Sequence, residues 1–498
     1  MVWRNREDLE SLAAARLKDI RELEARGKLG NRERLAIPLQ EMPVQDPHER
    51  VKNVGEVALG YGENQARLEA ERCLSCRDAP CIEGCPVQVP IPRFIAEFRK
   101  GGYAAAAAII KENNLLPAVC GRVCPQENQC QARCTLGKSL KSVEKAVSIG
   151  RLERFLADWE RESGAAALPE LSPPTGRRVA VVGSGPAGLT AAADLARAGH
   201  GVTVFEAFHR PGGVMVYGIP EFRLPKSIVE AEVSALGRLG VVFETNFLVG
   251  RTRTVRELLD EDGYDALFIG AGAGLPRFLG VPGENLVGVS SANEYLTRAN
   301  LMKAYDPRRA ATPIYNSRVV AVVGGGNVAM DAARMALRLG AEEVHIVYRR
   351  GPEEMPARAE EIDHAREEGV EFDYLRNPVR IVGDKDGRVT GLELRKYELG
   401  ASDASGRRSP VALPGSEYLF PCDTVIAALG NDANPLLVRT TGNLKADDRG
   451  RIIVDGEQRS SLDRVYAGGD TVLGAATVIL AMGEGRKAAA AINRLLKP

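Results

Sequence analysis

The chain has 498 residues, enough for roughly three domains. Lysine plus arginine and aspartate plus glutamate number 66 each, and this zero formal charge gives no field-level reason to expect nucleic acid or an anionic membrane as partner. No apolar run approaches the ~20 residues of a membrane span, and the charged start MVWRNREDLESLAAARLKDI has no secretory h-region, so a cytoplasmic protein is expected.

Residues 1–160 read as an α-helical domain. LESLAAARLKDIRELEARG is an amphipathic helix stopping at Gly27, and AAAAAIIKENN and IGRLERFLADWERE are further helices. Eight of the nine cysteines fall between Cys73 and Cys134, and Cys422 stands alone. In a reducing compartment such a cluster points to metal rather than disulfides. None of the five histidines has metal-pair spacing. The runs are Cys73-x2-Cys76-x4-Cys81-x3-Cys85-Pro86 and Cys120-x3-Cys124-x5-Cys130-x3-Cys134. Eight crowded thiols suit two [4Fe–4S] clusters, whereas zinc prefers well-separated CxxC pairs. In the bacterial ferredoxin run ending C-x3-C-P, the last cysteine serves the other cluster. Cys73, Cys76 and Cys81 then hold one cluster, and Cys85 joins the second run, which offers four cysteines for three places.

Residues 161–176, rich in Ala, Pro and Gly, read as a linker. Beyond it, short Val/Ile strands alternate with Ala/Leu helices, the pattern of parallel sheets. Strand, Gly-rich turn, helix and strand occur twice, from Arg177 and from Ser317. The fold class is therefore α/β, with two Rossmann-like dinucleotide domains behind the helical domain.

In the first unit Gly183-Ser184-Gly185-Pro186-Ala187-Gly188 follows the strand VAVV, and Glu206 closes the second strand. The glycines allow a tight turn, pyrophosphate approach and close helix packing, and the acid can bind a ribose hydroxyl. The second unit has Gly324, Gly326 and Ala329, with Asn327 and Val328 opening its helix. Tyr348 stands where Glu206 stood, and Arg349 and Arg350 follow. Losing the acid and gaining guanidinium groups favours a 2′-phosphate, hence NADP(H), with Arg358 as a third contact. DALFIGAGAG (265–274) and DTVIAALGND (423–432, with Gly430) look like crossings between the nucleotide domains. The expected division is 177–300 and 425–498 for FAD, and 301–424 for NADP(H).

The C-terminal VYAGGDTVLGAATVIL places Gly468, Gly469 and Asp470 after a strand and opens a helix near Ala475–Thr477. It resembles the C-terminal flavin motif of two-dinucleotide-fold flavoproteins, in which the Asp meets the ribityl chain. Pro211–Lys226, with Gly213 and Arg223, resembles their flavin-proximal segment. CLSC…CIEGCP…CGRVCPQENQCQARC, then IGRLERF, GSGPAGL and YGIPEFRLPK, closely resemble the glutamate synthase small (β) subunit family. That family includes the NADPH-binding subunit of electron-bifurcating transhydrogenase, and the N-terminal half of dihydropyrimidine dehydrogenase shares its layout.

The resemblance implies a glutathione-reductase-type pair of nucleotide domains, FAD, NADP(H) and two [4Fe–4S] clusters. It implies Glu153 as fourth ligand of the cluster on Cys73, Cys76 and Cys81, and Cys124, Cys130 and Cys134 beside Cys85, with Cys120 not a ligand. It implies NADPH-oxidising electron input to a partner subunit, either the glutamate synthase large subunit or a ferredoxin-reductase-like one. A stand-alone diaphorase or sulfide dehydrogenase and a non-enzymatic iron–sulfur scaffold are the other readings. No acid–base constellation is present, and none is needed for flavin-mediated hydride transfer. With only Cys422 in the nucleotide region, thioredoxin-reductase chemistry is not expected.

Overall fold

A computed structural model describes residues 5–164, 169–403 and 406–497. The helical domain opens with Arg6–Ala25, capped by Asn5, whose side chain accepts from the Asp8 amide. Leu9, Ala13, Leu17 and Ile20 recur at helical spacing and are buried, so this helix docks against Glu63–Glu71. The run AAAAAIIKENN lies mainly in the helix Tyr103–Lys111. The helix Ile149–Ser163 ends at Gly164 in the left-handed region, three residues inside the expected linker. Residues 165–168 of that linker lie outside the described residues.

The nucleotide region contains β1 (Arg178–Val182), β2 (Gly201–Phe205), β3 (Val242–Glu244), β4 (Ala266–Ile269), β5 (Leu275–Pro276), β6 (Val289–Ser291), β7 (Val319–Val323), β8 (Glu343–Tyr348) and β9 (Glu371–Tyr374). It continues with β10 (Arg376–Gly383), β11 (Val389–Ser402), β12 (Arg408–Ala412), β13 (Tyr418–Pro421), β14 (Thr424–Ala427), β15 (Asn431–Asp432) and β16 (Val465–Ala467). One parallel sheet runs β16-β4-β1-β2-β3 and another β6-β14-β7-β8-β9. Their central strands are buried on both faces and therefore read as unbroken Val/Ile runs. The antiparallel strands β10 to β13 pack beside the second sheet.

The chain leaves the first sheet after β4 and returns after β14, and the short antiparallel ladder β5–β15 joins the two passages. Both glycine-ended crossings lie at this ladder. The boundaries expected at 300 and 424 move. β6 and the helix Ala292–Asn300 pack with the second unit, and β14 lies wholly in its sheet. Pairing partners decide membership here, and local composition carries no record of them. The C-terminal helix Val478–Leu496 crosses Pro186–Arg197 so closely that a Cβ on Gly485 would lie 2.3 Å from the Ala187 carbonyl oxygen.

Candidate functional site

At the first nucleotide unit the chain turns through Gly183 at φ +95°, where a Cβ would lie 2.5 Å from the Gly270 carbonyl oxygen. A Cβ on Gly188 would come within 1.9 Å of the Gly183 carbonyl oxygen, so only glycine lets the helix meet the turn. Gly185 differs: it caps the helix Pro186–Arg197 and has nothing within 4 Å of its Cβ position. The open side thus faces free amides at a helix N-terminus, a cradle that fits a pyrophosphate. Glu206, 5% exposed, accepts from the Ser184 amide at 3.0 Å, the Phe208 amide at 2.8 Å and the Ser184 hydroxyl. It ties the turn to the end of β2 while lone pairs remain for a ribose.

The Ser184 Oγ accepts from the Gly212 amide at 2.9 Å, and Gly213 packs on Gly185, where a Cβ would lie 2.7 Å from its Cα. The segment after Pro211 is thereby rooted in the phosphate turn. Asp470 follows Gly469 (φ +74°), and burial pushes its carboxyl up to about 6, against the opposing hydrogen bond from the Ala476 amide. Thr477 caps the helix Val478–Leu496 by accepting from the Leu480 amide. Tyr217, which the sequence did not single out, lies near both acids; burial first, then the charges of Asp470 and Glu206, push its phenol upward. Arg223 does not belong to this cradle. Its guanidinium contacts both Asp331 oxygens at 2.8 and 2.9 Å and Glu361 at 3.0 Å, a destination that only tertiary packing supplies.

In the second unit a Cβ on Gly324 (φ +147°) would lie 2.4 Å from the Ala428 carbonyl oxygen. Gly326 caps the helix Asn327–Arg338 with open space at its Cβ position, the same cradle again. Ala329 is fully buried where the first unit needs Gly188. The Asn327 side chain accepts from the Arg358 amide at 2.9 Å, and Val328 is 44% exposed beside the cradle. Gly430 sits at the crossing with φ +90°, its carbonyl accepting from the Arg277 amide. Tyr348, at the position that Glu206 holds in the first unit, donates to the Glu354 carbonyl at 2.7 Å.

The arginines separate. Arg349 is exposed and makes no ion pair among the described residues. Arg350 is 7% exposed and committed to Asp403 at 2.6 Å and to the Arg408 carbonyl at 2.9 Å. Arg358 pairs with Glu127 at 3.1 Å and Glu360 at 3.2 Å. Arg350 and Arg358 thus already face acids of the chain, which distinguishes them from Arg349.

The cysteines fall into two groups. Cys73, Cys76, Cys81 and Cys134 line one pocket, and Cys76 and Cys81 are half-buried. Burial pushes the Cys81 thiol up to about 12, and Cys73, Cys134 and Cys76 add repulsion. Burial pushes the Cys73 thiol up, opposed by Arg99, which also donates to the Cys73 carbonyl. The second group is Cys85, Cys124 and Cys130 with Glu153. Burial pushes the Cys85 thiol up, against the hydrogen bond at the Val89 backbone, and Glu153 and Cys124 add repulsion; burial, then Cys85, Cys124 and Glu153, push Cys130 up. Burial also raises the Glu153 carboxyl to about 7, opposed by the hydrogen bond from the Asn114 side-chain amide at 2.6 Å.

Cys134 and Glu153 therefore exchange the groups expected for them. The short helix Cys130–Arg133 delivers Cys134 to the first pocket, while Ile149–Ser163 lays Glu153 beside Asn114. Four thiols, and three thiols with a carboxylate, are donor sets that fit four-cornered clusters. Cys120, 1% exposed, lies against Cys124 and near Glu153 of the second group, 3.7 Å from the Asn114 Oδ1 and 3.5 Å from the Met482 Sδ. The second group abuts the flavin-motif helix, where a Cβ on Gly483 would lie 3.2 Å from the Pro86 carbonyl oxygen. No helix among the described residues is long and apolar enough to cross a membrane.

Residues 50–165 match the family of dihydropyrimidine dehydrogenase domain II, 4Fe-4S cluster. Residues 177–489 match pyridine nucleotide-disulphide oxidoreductase. The chain is 40% identical over 443 residues to the NADP(+)-dependent formate dehydrogenase subunit beta of Moorella thermoacetica, covering 84% of this chain and 60% of that one. It is 36% identical over 450 residues to the glutamate synthase [NADPH] small chain of Escherichia coli, covering 89% and 94%. It thus spans under two thirds of the formate dehydrogenase subunit and nearly all of the small chain. Among solved structures, Mycobacterium tuberculosis FprA in complex with NADPH aligns with a TM-score of 0.54 at 22% identity, over 65% of this chain and 84% of that one, a likeness of fold. An iron–sulfur domain joined to two nucleotide cradles makes the chain a member of the glutamate synthase small-chain family of pyridine nucleotide-disulphide oxidoreductases, an oxidoreductase whose cofactors are FAD, NADP(H) and 4Fe–4S clusters.

Proposed function

We propose that the chain is the NADPH-oxidising electron-input subunit of a larger enzyme, in first place glutamate synthase, and works in the cytoplasm. The observation that carries this reading is the contact of Pro86 and Cys120, which flank the second donor group in the chain, with the helix that starts at the flavin motif. When bound, a flavin accepts the hydride of NADPH and the clusters carry single electrons onward.

The chain's own residues bind, orient and insulate. Gly183 to Gly188, Glu206, Gly213, Gly469, Asp470 and Thr477 hold FAD. Gly324, Gly326, Asn327, Val328, Arg349 and Gly430 hold NADPH, and Arg349 carries the 2′-phosphate. Cys73, Cys76, Cys81 and Cys134 hold the cluster nearer the surface. Cys85, Cys124, Cys130 and Glu153 hold the cluster nearer the flavin, and Cys120 stays free. The iron–sulfur domain comprises residues 50–165 and the segment ahead of it. The half-buried rim at Cys76 and Cys81 is where a partner approaches.

The 40% identity to a formate dehydrogenase subunit favours a second reading, in which the partner is another oxidoreductase chain. An anaerobic pull-down of the tagged chain, with mass spectrometry, separates the two. A very large amidotransferase chain supports glutamate synthase; a ferredoxin-reductase-like or formate-oxidising chain supports the second reading; no partner leaves a stand-alone reductase. Iron analysis tests the ligand sets. Cys134→Ala should lower iron from about eight to about four atoms per chain, and Cys120→Ala should leave it unchanged.

A further inference from the structure

The segment from Pro211 to Lys226 touches the first phosphate cradle, the helix that carries the second, and the helical domain. Its first end is rooted at the first cradle through the Gly212 amide on Ser184 and Gly213 against Gly185. Its other end reaches the helix Asn327–Arg338, whose N-terminus forms the second cradle. Arg223 there meets Asp331 and Glu361, with side chains at most 8% exposed. Phe222 is fully buried, with the Arg334 and Arg338 guanidinium groups 4.6 and 4.1 Å from its ring centre.

The middle of the segment is braced as well. The Lys226 ammonium donates to the carbonyls of Met215, Ile219 and Leu224 at 3.1, 2.6 and 2.7 Å. Asn300 donates to the Tyr217 carbonyl at 3.2 Å. The helical domain joins through the Val57 amide on the Phe222 carbonyl at 2.9 Å. It joins again through Arg50, fully buried, on Glu368 at 2.8 Å; Glu368 in turn holds Arg334. Charges buried in this way favour one arrangement, because any displacement leaves an uncompensated ion.

We propose that residues 211–226 are a rigid strut that sets the separation of flavin and nicotinamide, with Phe222, Arg223 and Asp331 as positioning residues. This rests on the function proposed above. The strut runs from the first cradle to the helix that carries the second, so its length fixes where the two rings meet. Hydride transfer depends steeply on that geometry, whereas coenzyme affinity, held by the cradles and Arg349, does not.

The test uses the full chain with its flavin and clusters, carrying Arg223→Lys, Arg223→Met or Asp331→Asn, mixed anaerobically with NADPH. In the Met and Asn variants we expect flavin content, iron content and NADPH Kd within about twofold of the unmodified chain, but flavin reduction slower by on the order of 100-fold. The long-wavelength charge-transfer absorbance between nicotinamide and flavin should fade in parallel, and Arg223→Lys should partly restore both. Variants that keep full rate and full absorbance overturn the strut. Should the Met and Asn variants fail to fold, Arg223→Lys decides: it keeps the charge but loses the forked contact, and an unchanged rate and band overturn the proposal. An unmodified chain whose flavin NADPH does not bleach overturns the proposed function, and the strut with it.

Discussion

The two nucleotide units share one backbone plan and differ in what closes it. In the first, the third glycine is obligatory: a Cβ on Gly188 would stand 1.9 Å from a carbonyl oxygen. In the second, Ala329 fills the same place and is fully buried. The first unit ends its second strand in a buried acid hydrogen-bonded to its own turn, and Asp470 brings another acid to the same region. The second ends in a tyrosine that seals the turn and an arginine that faces solvent. The strand–turn–helix plan makes the same open turn at a helix N-terminus in either case, and the residues one strand later are where the two units differ in charge.

That contrast can be broken at several points. The largest effect is expected for Gly188→Ala, which forces the helix off the turn at a cost of more than about 3 kcal/mol. The purified chain should lose its FAD, while Ala329→Gly should keep NADPH binding within a few-fold; equal tolerance at both sites would erase the difference between the units.

Asp470→Asn comes next. Burial raises this carboxyl from 3.8 to about 6, so the folded chain holds the proton more tightly than the unfolded one. Stability of the flavin-free chain should therefore fall as pH rises from about 4 to 6, by up to ~3 kcal/mol. The Asn variant lacks that loss, so its Tm should exceed the unmodified chain's above pH 6 and converge with it near pH 4. Parallel Tm curves would remove the acid's burial from the account.

Arg349→Ala should weaken NADPH binding by about 2 kcal/mol, near 30-fold, and leave NADH almost unchanged. Arg350→Ala, which breaks only the contacts to Asp403 and Arg408, should lower both affinities alike. Titration with each coenzyme checks this, and the reverse pattern would return the 2′-phosphate to Arg350. The smallest effect is expected at Gly325, where a Cβ would meet the Tyr348 ring at 2.7 Å. Gly325→Ala should cost about 1–2 kcal/mol in thermal unfolding, because a ring can tilt where a carbonyl cannot.

The motifs expected to bind phosphate are legible because their spacing is local. The glycine turns from Gly183 and from Gly324 each join one strand to the helix that follows it, although Glu206 and the carbonyls of Gly270 and Ala428 reach them from elsewhere in the chain. The two-cluster reading was legible for the same reason, from cysteine number and crowding. What local pattern could not carry was partnership across the fold. The structure sets Cys134 beside Cys73, Cys76 and Cys81 and Glu153 beside Cys85, a placement that chain order does not give because it does not say which helix faces which pocket. Arg223 was drawn to the flavin by its neighbours in sequence, and the structure spends it on Asp331, 108 residues away. Arg350 and Arg358 looked like free cations beside Arg349 until Asp403, Glu127 and Glu360 met them.

The sequence by itself determined the fold class, the order of the iron–sulfur and nucleotide parts and the chemistry of each cradle, because turns, caps and strand periodicity are short-range. Tertiary structure alone decided which charges are neutralised, which four donors converge and how the two cradles are spaced. These depend on contacts between elements far apart in the chain, and burial, which makes an unpaired charge costly, is a property of the packed whole.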